Sequence, residues 1–476
     1  MKYRYNCGTA NLLALFWAIF SIAGCKKFVS IAPPSTQVVT TSVFNNSGAA
    51  TAALTSIYSQ MSSASWQMSQ NSGLLSDELT DSFSLNSHVL PFYINALAAQ
   101  DAPGPWTVVY NYIYQANAVI EGVQTISGIT SPIRQQLEGE AKFIRAFWHF
   151  YLANCYGDVP IVTSTDYKTN SFIARSPKAN VYKQIIADLQ DAKNKLNSNY
   201  IDASDTAVTN DRVRPNKWAA ASLLARVYLY TGNYSDAESQ ATEVINNTNL
   251  YSLVPELYNV FLANSNEAIW QLAIPIPNTA NTLDAYNFVL LGAPINPDGA
   301  TNIATISPQL LSSFELNDNR KTAWIGTYTT SGTPMITYYF PYKYKDISPN
   351  ITEYVMVLRL AEQYLIRAEA RAQQGKDPSE VVSDLNAIRV RAGLTDYTGA
   401  VDKTSLLAAI LHERQVELFT EWGHRWFDLI RTGNADAVMS VVTPQKGGTW
   451  KSSWQLYPIP QSERMADFNL TQNPDY

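Results

Sequence analysis

The sequence predicts a mainly α-helical chain in which tetratricopeptide-like helical hairpins form a superhelical scaffold, with long irregular loops and a few short β-strands inserted. Three observations lead there. Apolar residues recur at three- and four-residue spacing over much of the chain. Two separated segments repeat one helix–turn–helix plan, with small Ala residues where paired helices must approach closely. The stretches between such segments are rich in Pro, Ser and Asn and lack a period.

At the N-terminus, Lys2 and Arg4 precede the apolar run Leu12–Ile22, too short for a permanent spanning helix, and then Ile22-Ala23-Gly24-Cys25. Small residues directly before a Cys suit a lipoprotein signal peptidase. Residues 1–24 therefore read as a lipoprotein signal peptide, and Cys25 as the acylated residue that anchors the protein to a membrane. The plainer alternative is an ordinary signal peptide with an incidental Cys. Residues 25–44 follow as a Pro/Ser/Thr tether, and 45–476 as a single body. Of the three cysteines, Cys7 leaves with the signal and Cys25 is acylated, so no disulfide framework is possible. Cys155, on an apolar helix face, is expected to be an inert buried thiol.

Helices are predicted over Ala50–Met61 and Trp106–Ile126, the second ending before Gly128. The next has Ala141, Ile144, Trp148, Leu152 and Cys155 on one stripe and stops at Gly157 and Pro160. The first hairpin, 218–245, has stripes Ala220, Leu224, Val227, Thr231 and then Tyr234, Ala237, Ala241, Val244. The second, 355–394, repeats it with Val357, Ala361, Tyr364, Ala368 and then Val381, Leu385, Ile388, Ala392. Each second helix opens on a capping-box pattern, Ser235 with Glu238 and Asp377 with Glu380, the latter with Pro378 at the first helical position. Residues 140–156 with 180–196, and 406–430, match the plan more weakly. Because the units are not in tandem, long insertions must leave the superhelix between them. Residues 62–105 read as irregular; 252–350 carries the strand-like EAIWQLAIP and the aromatic run TYYFPYKY at 337–344. Loops on a rigid scaffold are where function usually sits.

A formal net charge of −6 argues against nucleic acid or anionic lipid as the partner. The chain's 28 Tyr and 11 Trp suit partners that offer an apolar face edged with hydroxyls, and sugars are such partners. The four His form no metal-site spacing and no glycine-rich phosphate loop is present, so neither metal nor cofactor is expected.

The window LHERQVELFTEWGHRWFDLIRTG, 411–433, concentrates ionisable groups and could be taken for an active site. On a helix over 405–422, Leu407, Leu411, Leu418 and Trp422 form an apolar stripe that includes Arg414, whose guanidinium needs Glu417 or Glu421. Glu413, Glu417 and Glu421 recur every fourth residue, as ion-pair partners for neighbouring helices would. His424, Arg425 and Asp428 follow Gly423, where the chain turns. Successive helical positions scatter these groups around the axis instead of facing them across a cleft. The reading is structural ion pairing.

ERQVELFTEWGHRWFDLIRTG resembles the C-terminal signature of the SusD/RagB family of Bacteroidetes outer-membrane lipoproteins. LYPIPQSERMADFNLTQNPDY (456–476) resembles its closing segment, ending in Asp475-Tyr476 where Gly-Tyr is usual. GEAKFIRAFWHFYLANCYGDVPIV (139–162), RPNKWAAASLLARVYLYTGNYSDA (214–237) and CKKF after the lipobox are similar to further family signatures, so the resemblance spans essentially the whole chain. It implies a SusD-like fold and a non-catalytic lipoprotein, lipid-anchored in the outer membrane and facing the cell surface. Such a protein captures oligosaccharide or polysaccharide and passes it to a TonB-dependent SusC-like barrel. Lys26 and Lys27 stand where many such lipoproteins carry acidic residues, which leaves the leaflet open.

Sugar capture needs an aromatic face for the pyranose CH surface and polar groups for the hydroxyls. The stretches that match the family's ligand regions offer Asp77, Glu78, Asp81, Tyr93 and Trp106, and in the insertion Tyr286, Asn287 and Trp324. Each has a plain alternative, with Trp106 a core residue and Asp77 a turn cap. Two rivals remain. A glycoside hydrolase would use Asp77 or Glu78 with Asp81, across a cleft. A tetratricopeptide-type scaffold would bind protein and no sugar.

Overall fold

The computed structural model describes residues 44, 46–82, 88–101, 103–274, 281–294 and 304–476. The signal peptide, Cys25 and all of the tether except its last residue, Phe44, lie outside the described residues. Phe44–Tyr476 forms one compact unit. The backbone is mainly α-helical, as expected, with only short strands.

Its first helices are α1 (Ser47–Ser62), α2 (Ser65–Leu75) and the short α3 (Leu90–Tyr93), with strand β1 (Leu79–Asp81) between the last two. Residues 62–105 are thus not irregular. Ser, Asn and Gly are weak helix formers and the segment has no apolar period; α2 is helical because α16 (His424–Arg431) and α10 (Leu283–Phe288) pack on it. The scaffold proper begins with α4 (Trp106–Thr125) and α5 (Ser131–Tyr156). The expected stripe on α5 is buried, but so is nearly its whole circumference from Gln136 onward, because α4 and α7 (Lys178–Lys195) cover opposite sides. Between them lies the single turn α6 (Tyr167–Asn170). Gly157, at φ 76°, ends α5. Cys155 is buried there, its thiol pushed up to about 12 by desolvation, as an inert thiol should be.

The stack continues from α7 through α8 (Lys217–Tyr230) and α9 (Tyr234–Ile245) to α13 (Leu360–Gln374), α14 (Pro378–Arg391) and α15 (Lys403–Leu418). Helix α9 packs directly on α13 although 114 residues separate 245 from 360, so the chain leaves the stack after the first hairpin and returns to it. Leu365, Ala368, Leu385, Ile388, Leu406 and Ile410 join α13, α14 and α15 in one core. The excursion is clamped at its base by β4 (Ala268–Leu272) paired antiparallel with β8 (Val355–Arg359). It also holds α10, β5 (Ala304–Ile306), α11 (Pro308–Ser313), α12 (Asn319–Trp324) and the ribbon β6 (Ile325–Thr329) with β7 (Thr337–Pro341).

Several local expectations change. Residues 355–359 are a strand rather than the start of a helix, because this run is buried on both faces and pairs with β4; the helix begins at Leu360. Helix α9 begins at Tyr234, so Ser235 is no cap, and Glu238 instead takes Arg371 at 3.0 Å. Asp377 does cap α14, accepting from Ser379 N. The aromatic run opens with the strand at 337–341, along which burial increases toward Pro341.

The charged window divides at α15's end. Thr420, Trp422 and Gly423 have positive φ, so Glu421 and Trp422 lie beyond the helix and turn inward. Arg414 is paired with Asp428 at 2.7 Å, not with Glu417 or Glu421. Glu417 faces Arg320 at 2.9 Å, Arg359 at 2.5 Å, and Arg391. Arg359 also reaches Glu421 and Glu267, and Lys343 Nζ lies 2.5 Å from Glu421 Oε1 and 4.1 Å from the centre of the Phe419 ring. These charges are buried, and the surrounding guanidinium groups hold the Glu417 carboxyl well below the usual range despite desolvation. The window is architecture.

Replacing Glu417 with Gln strips the buried guanidinium groups of their shared anion. Denaturant unfolding is expected to show a loss of about 3–5 kcal/mol, and a loss under about 1 kcal/mol would show that the cluster is not what holds the excursion to the stack.

Candidate ligand-binding site

The first turns of α2 place Trp66, Gln67, Gln70 and Asn71 along one side of the helix, at i, i+1, i+4 and i+5. Facing them are His88, Val89 and Phe92 at α3, and Asp101, Pro105 and Val108 at the start of α4. Between these walls lies a cleft of about 460 Å³, a size that admits a small oligosaccharide. Trp148 of α5 and Tyr457 also border it, so part of its lining belongs to the rigid scaffold.

Two polar atoms distinguish this cleft. Trp148 is 1% exposed and Gln70 2%, and neither Trp148 Nε1 nor Gln70 Oε1 has a hydrogen-bond partner among the described residues. A buried donor or acceptor left unpaired costs about 1–3 kcal/mol. Both atoms are out of solvent contact and stand behind the cleft's surface; the polar groups a ligand meets there are exposed Gln67 and half-buried Asn71, whose amides can both donate to and accept from hydroxyls. Half-buried Trp66 contributes an aromatic surface at the same place. Helix α10 packs against α2, and Asp284 is hydrogen-bonded to Ser65, which sets Tyr286, 46% exposed, on the element next to Trp66.

The residues expected from sequence sit mostly elsewhere. Asp77 makes two 2.7 Å bonds from Arg425, and its carboxylate is committed inside the protein. Glu78 is buried beside it, accepting from Thr420 N. Asp81 is buried on β1, paired with Ala304 of β5. Tyr93 is half-buried with Lys446 Nζ 5.3 Å from its ring centre. Lys446 donates to the carbonyls of Leu74 and Ser76 at the end of α2, and burial pulls its pKa down to about 7. Trp106 is buried against Tyr156 and Tyr110, with an edge on a separate depression. Asn287 donates to Leu283 O within its own helix. Trp324 is entirely buried, donating to Leu257 O beneath Lys343, Arg359 and Arg391. Of the eight, Tyr286 alone is both solvent-exposed and on an element adjoining the cleft. Trp66, Gln70 and Asn71 escaped notice because 62–105 was read as irregular; the i, i+4, i+5 spacing was the available signal. Trp148 is a core residue in sequence pattern and in structure alike.

Comparison with known proteins agrees with this architecture. A family model of SusD-like proteins, described as starch-binding and associating with the outer membrane, matches residues 27–229, and the SusD family model matches 312–476. The chain belongs to the SusD/RagB family. SusD-like protein P2 of Formosa agariphila is 27% identical over 415 residues, 78% of this chain and 80% of that one. Starch-binding protein SusD of Bacteroides thetaiotaomicron is 33% identical over 127 residues, 26% of this chain and 21% of that one. A solved laminarin binding SusD-like protein superposes with a TM-score of 0.72 at 24% identity, across 90% of this chain and 99% of its own, a likeness of fold. The SusD family is one of glycan-binding proteins associated with the outer membrane. Among the described residues of this SusD-family chain, no helix is long and apolar enough to cross a membrane.

Behind the cleft, burial raises Glu78 to about 8 from an ordinary 4.5, with the Asp77 charge adding to the shift. The folded state then holds a proton that the unfolded state releases, so stability falls as pH rises between those values. Glu78→Gln cannot ionise and keeps an acceptor for Thr420 N. The Tm difference between variant and wild type is expected to move in the variant's favour by about 2 °C or more between about pH 5 and about pH 8.5; a pH-independent difference would refute the assignment.

Proposed function

We propose that this SusD-family protein captures oligosaccharide without catalysis and delivers it to a TonB-dependent SusC-like outer-membrane barrel, held at the membrane by lipid on Cys25. The observation that carries the capture step is the cleft that brings the half-buried indole of Trp66 together with the amides of Gln67 and Asn71. A pyranose can stack its CH face on an indole while its hydroxyls satisfy a donor and an acceptor. Of the sequence candidates Tyr286 is retained as an exposed aromatic on the adjoining helix, and Trp66, Gln67 and Asn71 are added.

Binding without turnover is supported by the carboxylates. Glycoside hydrolysis needs two, facing each other across the bond. Asp101 is the one carboxylate lining the cleft among the described residues, while Asp77 is held by Arg425 and Glu78 and Asp81 are buried outside it. The stacked hairpins supply a stiff body that carries the cleft, and their outer faces are available to a protein partner.

Affinity electrophoresis of the mature protein through gels containing starch or laminarin tests capture. Retardation by at least one polymer is expected, with Trp66→Ala weakening it about tenfold, roughly the loss of one stacked aromatic ring. Release of reducing ends from either polymer, or wild-type mobility unchanged in a wider panel of glycans, would defeat the proposal.

Anchoring has its own test. Cys25→Ala is expected to move the protein from the membrane to the soluble fraction, because the acyl chains supply the membrane affinity. Membrane retention of the variant would show that something other than the lipid holds it.

A further inference from the structure

A second depression lies on the other side of α4. It has a volume of about 370 Å³ and is lined from α4 by Trp106, Thr107, Tyr110 and Tyr114. Its opposite wall comes from Asn170 of α6 and from α18 (Gln461–Ala466) with the following Asp467. The two hollows share a wall. Pro105 and Val108 face the first, Thr107 and Tyr114 the second, so only the opening turn of α4 stands between them. The 3₁₀ turn Ala99–Asp101, whose Asp101 lines the first cleft, packs on α18, whose Glu463 lines the second.

The second hollow is held in shape. Tyr110 donates to Pro160 O at 2.9 Å, and Thr107 Oγ1 to Glu463 Oε1 at 2.9 Å. Tyr114 is 48% exposed, and Phe172 and Phe468, flanking lining residues Ser171 and Asp467, are 71% and 92% exposed. Asn469 donates to Phe172 O at 3.0 Å and so ties the two loops together. Aromatic rings in open view beside carboxylate and amide oxygens are what a pyranose needs. Charge narrows the class further. The charged groups lining either hollow are carboxylates, Asp101 in one and Glu463 with Asp467 in the other, and no Lys or Arg lines either among the described residues. Acidic or sulfated sugars would meet like charge.

We propose that this depression is a second saccharide subsite, and that one neutral glycan chain crosses the first turn of α4 to occupy both hollows. This rests on the glycan-capture reading above and adds to it a length requirement and a charge class. A helix is about 10 Å across with its side chains, so a chain of several sugars is needed to span the ridge, and the second contact is then intramolecular and gains from effective concentration.

The test is calorimetry of the mature protein with malto- and laminari-oligosaccharides of about three and about eight sugars, and with alginate as an anionic polymer. In at least one neutral series, affinity is expected to rise about tenfold or more from the short to the long ligand. Tyr114→Ala and Asp467→Ala, both at the surface, are each expected to cut that gain to about twofold or less. A gain that persists in both variants, an absent gain, or preference for alginate would each overturn the two-subsite inference while leaving capture at the first cleft standing. Absence of binding to every neutral and anionic ligand would overturn both.

Discussion

Glu417 accepts from three guanidinium groups that come from three separate parts of the chain: Arg320 on α12, Arg359 at the end of β8 and Arg391 at the end of α14. Buried charges persist only when they are paired and hydrogen-bonded. That constraint makes this cluster a lock, because Arg320 and Arg359, both in the excursion of 246–359, reach Glu417 only when the excursion has folded back onto α15. Arg359 widens the lock by reaching Glu267 and Glu421, and Lys343 joins it under Phe419 and Trp324. Such a cluster adds little net stability compared with an apolar core of equal volume. What it does is specify one arrangement of the excursion against the stack.

The candidate site depends on that arrangement at one remove. Helix α2 is covered by α10, which belongs to the excursion, and by α16, which follows the charged turn. Ser307, just past β5, donates to Asp77 O, and Arg425 of α16 clamps the Asp77 carboxylate. These contacts hold the wall that carries Trp66 and Gln70. The opposite wall and Trp148 come from α4 and α5, deep in the stack, where Trp148 is set among Tyr112, Phe147 and Trp422. The cleft is therefore built between a rigid scaffold and a locked excursion. Changes in the loops can alter its rim without disturbing Trp148.

Much of the fold was legible. The periodic segments around 50–61, 106–126, 218–245 and 360–391 are helices because each has enough apolar side chains on one face to bury against a neighbour. Strand 268–272 was legible as part of the short apolar run EAIWQLAIP. The site was far less so. Asp77, Glu78 and Trp324 look like ligand-binding residues in sequence, since acidic and aromatic side chains in a loop-like stretch suit sugars. In the structure the same chemistry serves internal partners: Arg425 for Asp77, and a carbonyl and three cations for Trp324. A side chain's partner is a matter of distance in space, and sequence spacing supplies that only within one helix or strand.

By itself the sequence determined the class of the body, the hairpin plan, the structural role of the charged window and the family. The first three follow from periodicity and from residue types whose burial or pairing is forced wherever they fall; the family follows from the resemblance of motifs such as ERQVELFTEWGHRWFDLIRTG. Only the tertiary structure decided that 355–359 is a strand, that α2 is helical in spite of its Ser, Asn and Gly, and that Arg414 answers to Asp428. It also decided that Trp66, Gln67 and Asn71 face α3 and the start of α4 across a cleft. Each of these outcomes turns on contacts between residues distant along the chain, whose free energy outweighs local preference and leaves no local trace.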